Sequence, residues 1–367
     1  MPAAARAAVP VTMASAHADL TSRLTIALDA MGGDKAPRII VKGASIARQR
    51  YPEVDFLLFG REGEIDALLR KASKLREVTT IVNSDDVVKS DDRPSVAIRG
   101  GRNSSMRHAI DAVADGRAHA VVSAGNTGAL MGMAKFVLKT LPGIDRPAIA
   151  SYFPTMRGET VMLDLGANVQ CDARNLVDFA VMGTACARTV LGVLNPTFGL
   201  LNVGSEEIKG HESLHEASAI LRRAELPGRF VGFVEGDDIG KGSVDVVVTD
   251  GFTGNIALKT AEGTASLVNE YIRRSFRSSL LASVGYILAR QALRKLRQRI
   301  DPRRYNGAMF IGLNGIVVKS HGGTDAMGFA NAIGVAVDMV KHGFIDQIRT
   351  EAALASAGAP KNRAAAV

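Results

Sequence analysis

Residues 121–129 read VVSAGNTGA and residues 247–255 read VVTDGFTGN. Each is a short β-branched run, then a Gly-x-Thr-Gly turn, then residues that open a helix, and this order decides the fold. From Leu24 onward the same grammar recurs in LTIALDAMGGD, FLLFGREGE, VMLDLGANV, GLLNVGSEE, FVGFVEGDD and GIVVKSHGG. Apolar runs that alternate with helical stretches form a largely parallel sheet covered on both faces. The expectation is a doubly wound, mostly parallel α/β/α domain over residues 23–348. Residues 1–22 read as a disordered extension and 349–367 as a C-terminal tail. In such a sheet the loops after the strands gather at one edge, where ligands bind; here they consist of Gly, Asn, Asp, Ser and Thr.

The 367 residues, 47% hydrophobic and 22% charged, suffice for a large core without a covalent staple. The net charge of +8 is concentrated: residues 273–304 hold ten Lys or Arg against one acid, Asp301, which leaves the remainder close to neutral. That disfavours diffuse nucleic-acid binding and favours a localised anionic partner. Two cysteines without a CxxC argue against a disulfide framework or a zinc site and suit a reducing compartment. The first residues lack the apolar core of a secretory signal. No G-x-G-x-x-G follows a strand, and EGDDIGKGS lacks the spacing of a phosphate-binding P-loop, which leaves Lys241 as a loop lysine.

The two echoed turns have two readings. Gly125, Asn126, Thr127 and Gly128, and likewise Gly251, Thr253, Gly254 and Asn255, either cradle anions at helix N-termini or simply punctuate strand-to-helix junctions, with Thr127 and Thr253 as caps. Their repetition in one sheet favours the anion. A site of this kind, calling for no metal and no cofactor, can hold an oxyanion and stabilise charge on a carbonyl oxygen, which suits acyl or phosphoryl transfer.

IALDAMGGDKAP, SAGNTGAL, IDRPAIA, LDLGANV, LLNVGSEEIKG, VVVTDGFTGNIALKT and GLNGIVVKSHGG resemble, in order and spacing, the bacterial phosphate acyltransferases of phospholipid synthesis. The resemblance runs from about residue 24 to about 345. It implies transfer of a long-chain acyl group from acyl carrier protein to inorganic phosphate, with a glycerol-3-phosphate acyltransferase downstream. It also implies a homodimer and a fold like that of isopropylmalate dehydrogenase and phosphotransacetylase.

Within those motifs, Lys209 is the first candidate, as the cation that binds phosphate or polarises the thioester carbonyl; the alternative is a solvated loop lysine beside Glu206 and Glu207. Asn255 can donate to the oxyanion or serve as first-turn polarity. Asn126 and Thr127 are further donors. Asp29, Asp34 and Asp250, repelled by an anion, more readily orient lysines or loop N–H groups beside Gly32 and Gly33. His321 is either a general acid toward the leaving thiolate or a structural histidine, and Asn168 either lines the site or forms its turn. Cys186 reads as core, and Cys171 has no evident activator, so direct attack by phosphate is favoured over an acyl-cysteine.

Residues 280–300 read LLASVGYILARQALRKLRQRI. Ala282, Tyr286, Ala289, Leu293, Leu296 and Ile300 share one helical face, and Arg290, Arg294 and Arg297 fall opposite. Phe276, Leu280, Val284 and Ile287 point elsewhere, so a bend is expected at Gly285. The apolar part is too short to span a bilayer. This helical, basic segment, within 262–304, is expected to protrude and meet an anionic membrane surface at the inner face of the cell membrane, or the acidic carrier protein; packing against a dimer partner is the alternative. Two other readings of the whole chain are a nicotinamide-dependent dehydrogenase on a similar sheet and a non-catalytic basic scaffold.

Overall fold

The computed structural model describes residues 23–299 and 301–358. The expected extension at 1–22, Ile300 and the end of the expected tail lie outside the described residues.

Eleven strands form one sheet: β1 Leu24–Asp29, β2 Val54–Gly60, β3 Thr79–Asn83, β4 Ala120–Ser123, β5 Ala148–Pro154, β6 Glu159–Leu163, β7 Thr197–Leu201, β8 Arg229–Val234, β9 Val246–Val248, β10 Ala308–Ile311 and β11 Ile316–Lys319. Their order is β3-β2-β1-β4-β11-β10-β5-β6-β9-β7-β8. All eight strand-like runs of the sequence become strands; β3, β5 and β10 are additional. Ile26 and Leu28 of β1 join the core on one face, and Ala27 joins the core on the other. Burial on both faces is why these strands read as continuous apolar runs. Helices Arg38–Arg50, Ala173–Val190 and Ala326–Lys341 cover the first face; Ser105–Ala114 and Thr127–Leu138 cover the second.

The sheet departs from one expectation. β3, β2, β1, β4 and β11 run together, and β6, β9, β7 and β8 run together, but β10 is antiparallel to β11 and β5, and β5 is antiparallel to β6. The two parallel blocks therefore point in opposite directions, and their post-strand turns lie at opposite edges rather than at one. The helix Gly251–Arg277 starts at the second edge and carries Asn255 and Lys259 back toward the first.

Two boundaries also differ. The last helix, Phe344–Gly358, runs past residue 348 with Ile348, Glu351 and Ala352 buried, so the expected tail begins as a packed element. The two short helices expected on either side of Gly285 are one: the helix Leu280–Arg299 continues through it, and the break falls at Ser278 and Ser279. Ser279 stops the preceding helix from continuing by accepting from the Ala282 N–H with its own Oγ at 3.1 Å, a serine N-cap.

Candidate active site

At the end of β4, Ser123 donates its hydroxyl to Asp29 at 2.7 Å, Ser105 donates to the other oxygen at 2.7 Å, and the Gly125 N–H donates to Ser123 Oγ at 3.0 Å. Burial pushes the Asp29 carboxyl up, and the two hydroxyls pull it back. Asp29 thus braces the Gly-rich turn instead of facing a ligand. Gly32 and Gly125 are small because they meet there: a Cβ on Gly32 would lie 2.8 Å from the Gly125 nitrogen. Gly33, at φ 103°, adopts the left-handed backbone that glycine favours.

The caps are Asn126 and Asp250, not the threonines. Asn126 accepts from the Ala129 N–H at 3.0 Å and donates to the carbonyls of Ser90 and Asp92 at 3.0 and 2.9 Å, which ties the 89–92 loop to the turn. The Thr127 and Gly128 N–H groups make no intrachain hydrogen bond among the described residues, so this helix terminus is open to an anion. In the echoed turn two of the corresponding donors are committed: Gly251 N–H donates to Asn168 at 2.7 Å, and Thr253 N–H to Asp250 at 2.8 Å. Gly254 is pressed onto the Asp164 carbonyl. Asn168 is equally committed, donating to Pro147 O and Asp164. The two turns, alike in sequence, thus differ in which backbone donors are left free.

Two cavities flank this region. One, of about 540 Å³, lies between β5, β10 and the helix Gly251–Arg277; the other, of about 610 Å³, lies between the turns after β1, β4 and β11 and the 87–91 loop. They share Thr127, Lys259, Lys319 and His321. Asn255 lines the first, and its side-chain amide has no hydrogen-bond partner among the described residues. The Gly323 N–H donates to His321 Nδ1 at 3.1 Å, which leaves the proton of a neutral ring on Nε2.

Lys319 was not singled out from the sequence. It ends β11, partly buried, and burial lowers its pKa to about 8; Asp29 and Asp34 pull the value up and Lys259 pushes it down. Its ammonium donates to the Ser320 carbonyl. The signal was a lysine closing the apolar run IVV immediately before a Gly-containing turn. Lys209, by contrast, stands in the turn after β7 and lines neither cavity; it is exposed and paired with Glu206 at 2.9 Å. Burial first and Asp164 second push the Cys171 thiol up to about 12, which keeps it in the less nucleophilic protonated form at neutral pH. Among the described residues no His/Cys/Asp/Glu group is arranged to hold a metal.

The helices Gly251–Arg277 and Leu280–Arg299 form a hairpin. Ala282, Tyr286, Ala289 and Leu293 are its less exposed positions, and Tyr286 meets Phe276 at 5.5 Å between ring centroids. The opposite face leaves Leu280, Leu281, Ile287 and Leu288 exposed, with Arg290 and Arg294 also exposed. Arg297 lies on the same helix, with its side chain outside the described ones. No helix among the described residues is long and apolar enough to cross a membrane.

The model of a family described as fatty acid synthesis protein matches residues 24–347. The chain is 67% identical over 334 residues to a phosphate acyltransferase of Rhodospirillum centenum, covering 91% of this chain and 94% of the relative. It is 58% identical to one of Rhodospirillum rubrum, covering 91% and 96%. Among solved structures it resembles a phosphotransacetylase from Streptococcus pyogenes, with a TM-score of 0.60 at 17% identity, covering 87% of this chain and 94% of that one. That likeness establishes the phosphotransacetylase-like fold. By the extent of the family match and the identity to its relatives, the chain belongs to the fatty acid synthesis protein family and, within it, to the phosphate acyltransferases.

Proposed function

We propose that the enzyme transfers a long-chain fatty acyl group from the thioester of acyl carrier protein to inorganic phosphate, and that the four residues shared by the two cavities are where this occurs. The observation that carries the reading is that Lys319, Lys259 and Thr127, the first residue of the open helix terminus, line both cavities where they meet beside an apolar slot; Lys259 is paired with Glu262 at 2.8 Å, so Lys319 and the Thr127 N–H are the principal seat for phosphate. Held there, a phosphate oxygen attacks the thioester carbonyl carbon. The Asn255 amide donates to the oxygen on which charge accumulates. The C–S bond then breaks with its electron pair leaving on sulfur, and the proton of hydrogen phosphate ends on that sulfur, so no external base is consumed. His321 Nε2–H steadies the departing sulfur with a hydrogen bond. The products are acyl phosphate and the free carrier thiol.

In this reading the acyl phosphate passes to a glycerol-3-phosphate acyltransferase for phospholipid synthesis. The enzyme works as a homodimer in the cytoplasm, its basic hairpin resting on the anionic inner face of the cell membrane. The exposed leucines beside Arg290 and Arg294 support that placement, since apolar contact and headgroup attraction act together. The test of the chemistry is acyl phosphate formation, trapped with hydroxylamine, by wild type and Asn255→Ala. Phosphate-dependent product from wild type and a loss of at least tenfold in folded Asn255→Ala are expected; product formation indifferent to phosphate would refute the reading.

A further inference from the structure

We propose that the two cavities divide the thioester between them: the 540 Å³ slot takes the fatty acyl chain, the 610 Å³ cavity takes the polar arm that carries the thiol, and Ala265 limits chain length. The assignment rests on the acyl-transfer reading above. A thioester carbonyl has one substituent on each side, and the two cavities meet at Thr127, Lys259, Lys319 and His321, where the carbonyl must sit.

The linings decide which arm goes where. The helix Gly251–Arg277 has 27 residues, yet only Gly251 and Gly254 are buried. Ala257 and Leu258 still pack against the core, and beyond them the helix stands off the sheet. Ile149, Phe153 and Phe310 form the floor of the gap, and Leu258, Ala261 and Ala265 form its roof. An apolar gap of this size leaves its walls without dispersion partners, which a hydrocarbon chain supplies. From Asn255 at the reacting end to Ala265 the helix rises about 15 Å, a distance suited to an extended fatty chain. The second cavity, though Met31, Val87 and Val88 also reach it, is the more polar of the two: Asp34, Lys89, Ser90 and Asp91 line it with groups that hydrogen-bond an amide-bearing arm and that a hydrocarbon would leave unpaired.

The experiment compares kcat/KM for acyl carrier protein thioesters of 8 to 18 carbons (about the short-to-long range of fatty acyl groups) in wild type, Ala265→Phe, the milder Ala265→Leu and Ser90→Trp. Ala265→Phe is expected to turn preference toward short chains, by about fourfold for each methylene excluded from apolar burial. Ala265→Leu should shift it in the same direction by less. Ser90→Trp should raise KM alike at every chain length and leave the profile unchanged. Because the profile is a ratio within one preparation, partial unfolding does not imitate it. An unchanged profile in both Ala265 variants, or an equal loss at all lengths, would overturn the assignment and put packing or a second copy of the chain in the slot; so would a changed profile in Ser90→Trp. Absence of acyl phosphate from wild type with any thioester would instead overturn the acyl-transfer reading.

Discussion

Replacing Lys319 by methionine keeps most of the side-chain volume and removes the charge. A unit charge about 4 Å from a phosphate oxygen is worth about 4 kcal/mol at an effective dielectric of about 20, and a charge-assisted hydrogen bond nets about 1.5–3 kcal/mol. A loss of ~2–4 kcal/mol corresponds to about 30- to 1000-fold in kcat/KM for phosphate. The assay is hydroxylamine-trapped acyl phosphate with phosphate varied at saturating thioester. pH supplies a second readout. Burial sets the Lys319 ammonium to titrate at about 8, so the binding cation is present below that pH, and kcat/KM for phosphate should fall as pH rises through it. Lys319→Arg, charged at every accessible pH, should move that fall to higher pH. Folded Lys319→Met with less than about a threefold loss, or an alkaline limb unmoved in Lys319→Arg, would refute the placement of phosphate.

Three further substitutions probe the scaffold and the route. Gly254→Ala drives a Cβ into the Asp164 carbonyl and should lower stability by about 1–3 kcal/mol, read as a fall in the thermal midpoint; an unchanged midpoint would contradict the packing. Asn126→Ala removes a cap and the tether of the 89–92 loop, so the urea midpoint should drop by the equivalent of about 1–2 kcal/mol, with a smaller effect on phosphate KM than Lys319→Met. Cys171→Ser should stay within about twofold of wild-type turnover, since a thiol titrating at about 12 is protonated at neutral pH. Intact-mass analysis of wild type given thioester without phosphate should show no acyl adduct.

The strands that announced themselves are those followed by a Gly-rich turn and a helix, because that grammar belongs to parallel connections. β10 and β5 carry no such signature. β10 returns into β11 through the tight Gly312–Gly315 connection, and β5 returns into β6, so neither is followed by a helix. Those antiparallel strands reverse the second block, which is why the expectation of a single ligand edge failed. At the site, the small residues of the first turn were legible because close backbone approach demands them. Asp29 as a brace for loop N–H groups was also legible, from the repulsion a carboxylate meets beside an anion; the bracing role of Asn126 was not, since its bonds to Ser90 and Asp92 join segments far apart in sequence. Lys209 drew notice through its motif, yet the fold leaves it with Glu206, whereas Lys319 gains its character only from the burial that β11 imposes. The break at Ser278 and Ser279 shows a side-chain cap outweighing the modest helix cost of Gly285.

The central claim is that a phosphate oxygen becomes the acyl acceptor, and phosphate labelled with ¹⁸O on every oxygen tests it directly. Incubated with long-chain acyl carrier protein and this enzyme, it should yield acyl phosphate whose mass shows every label retained. Free fatty acid formed at the same rate without phosphate, or acyl phosphate that has lost label, would contradict the account.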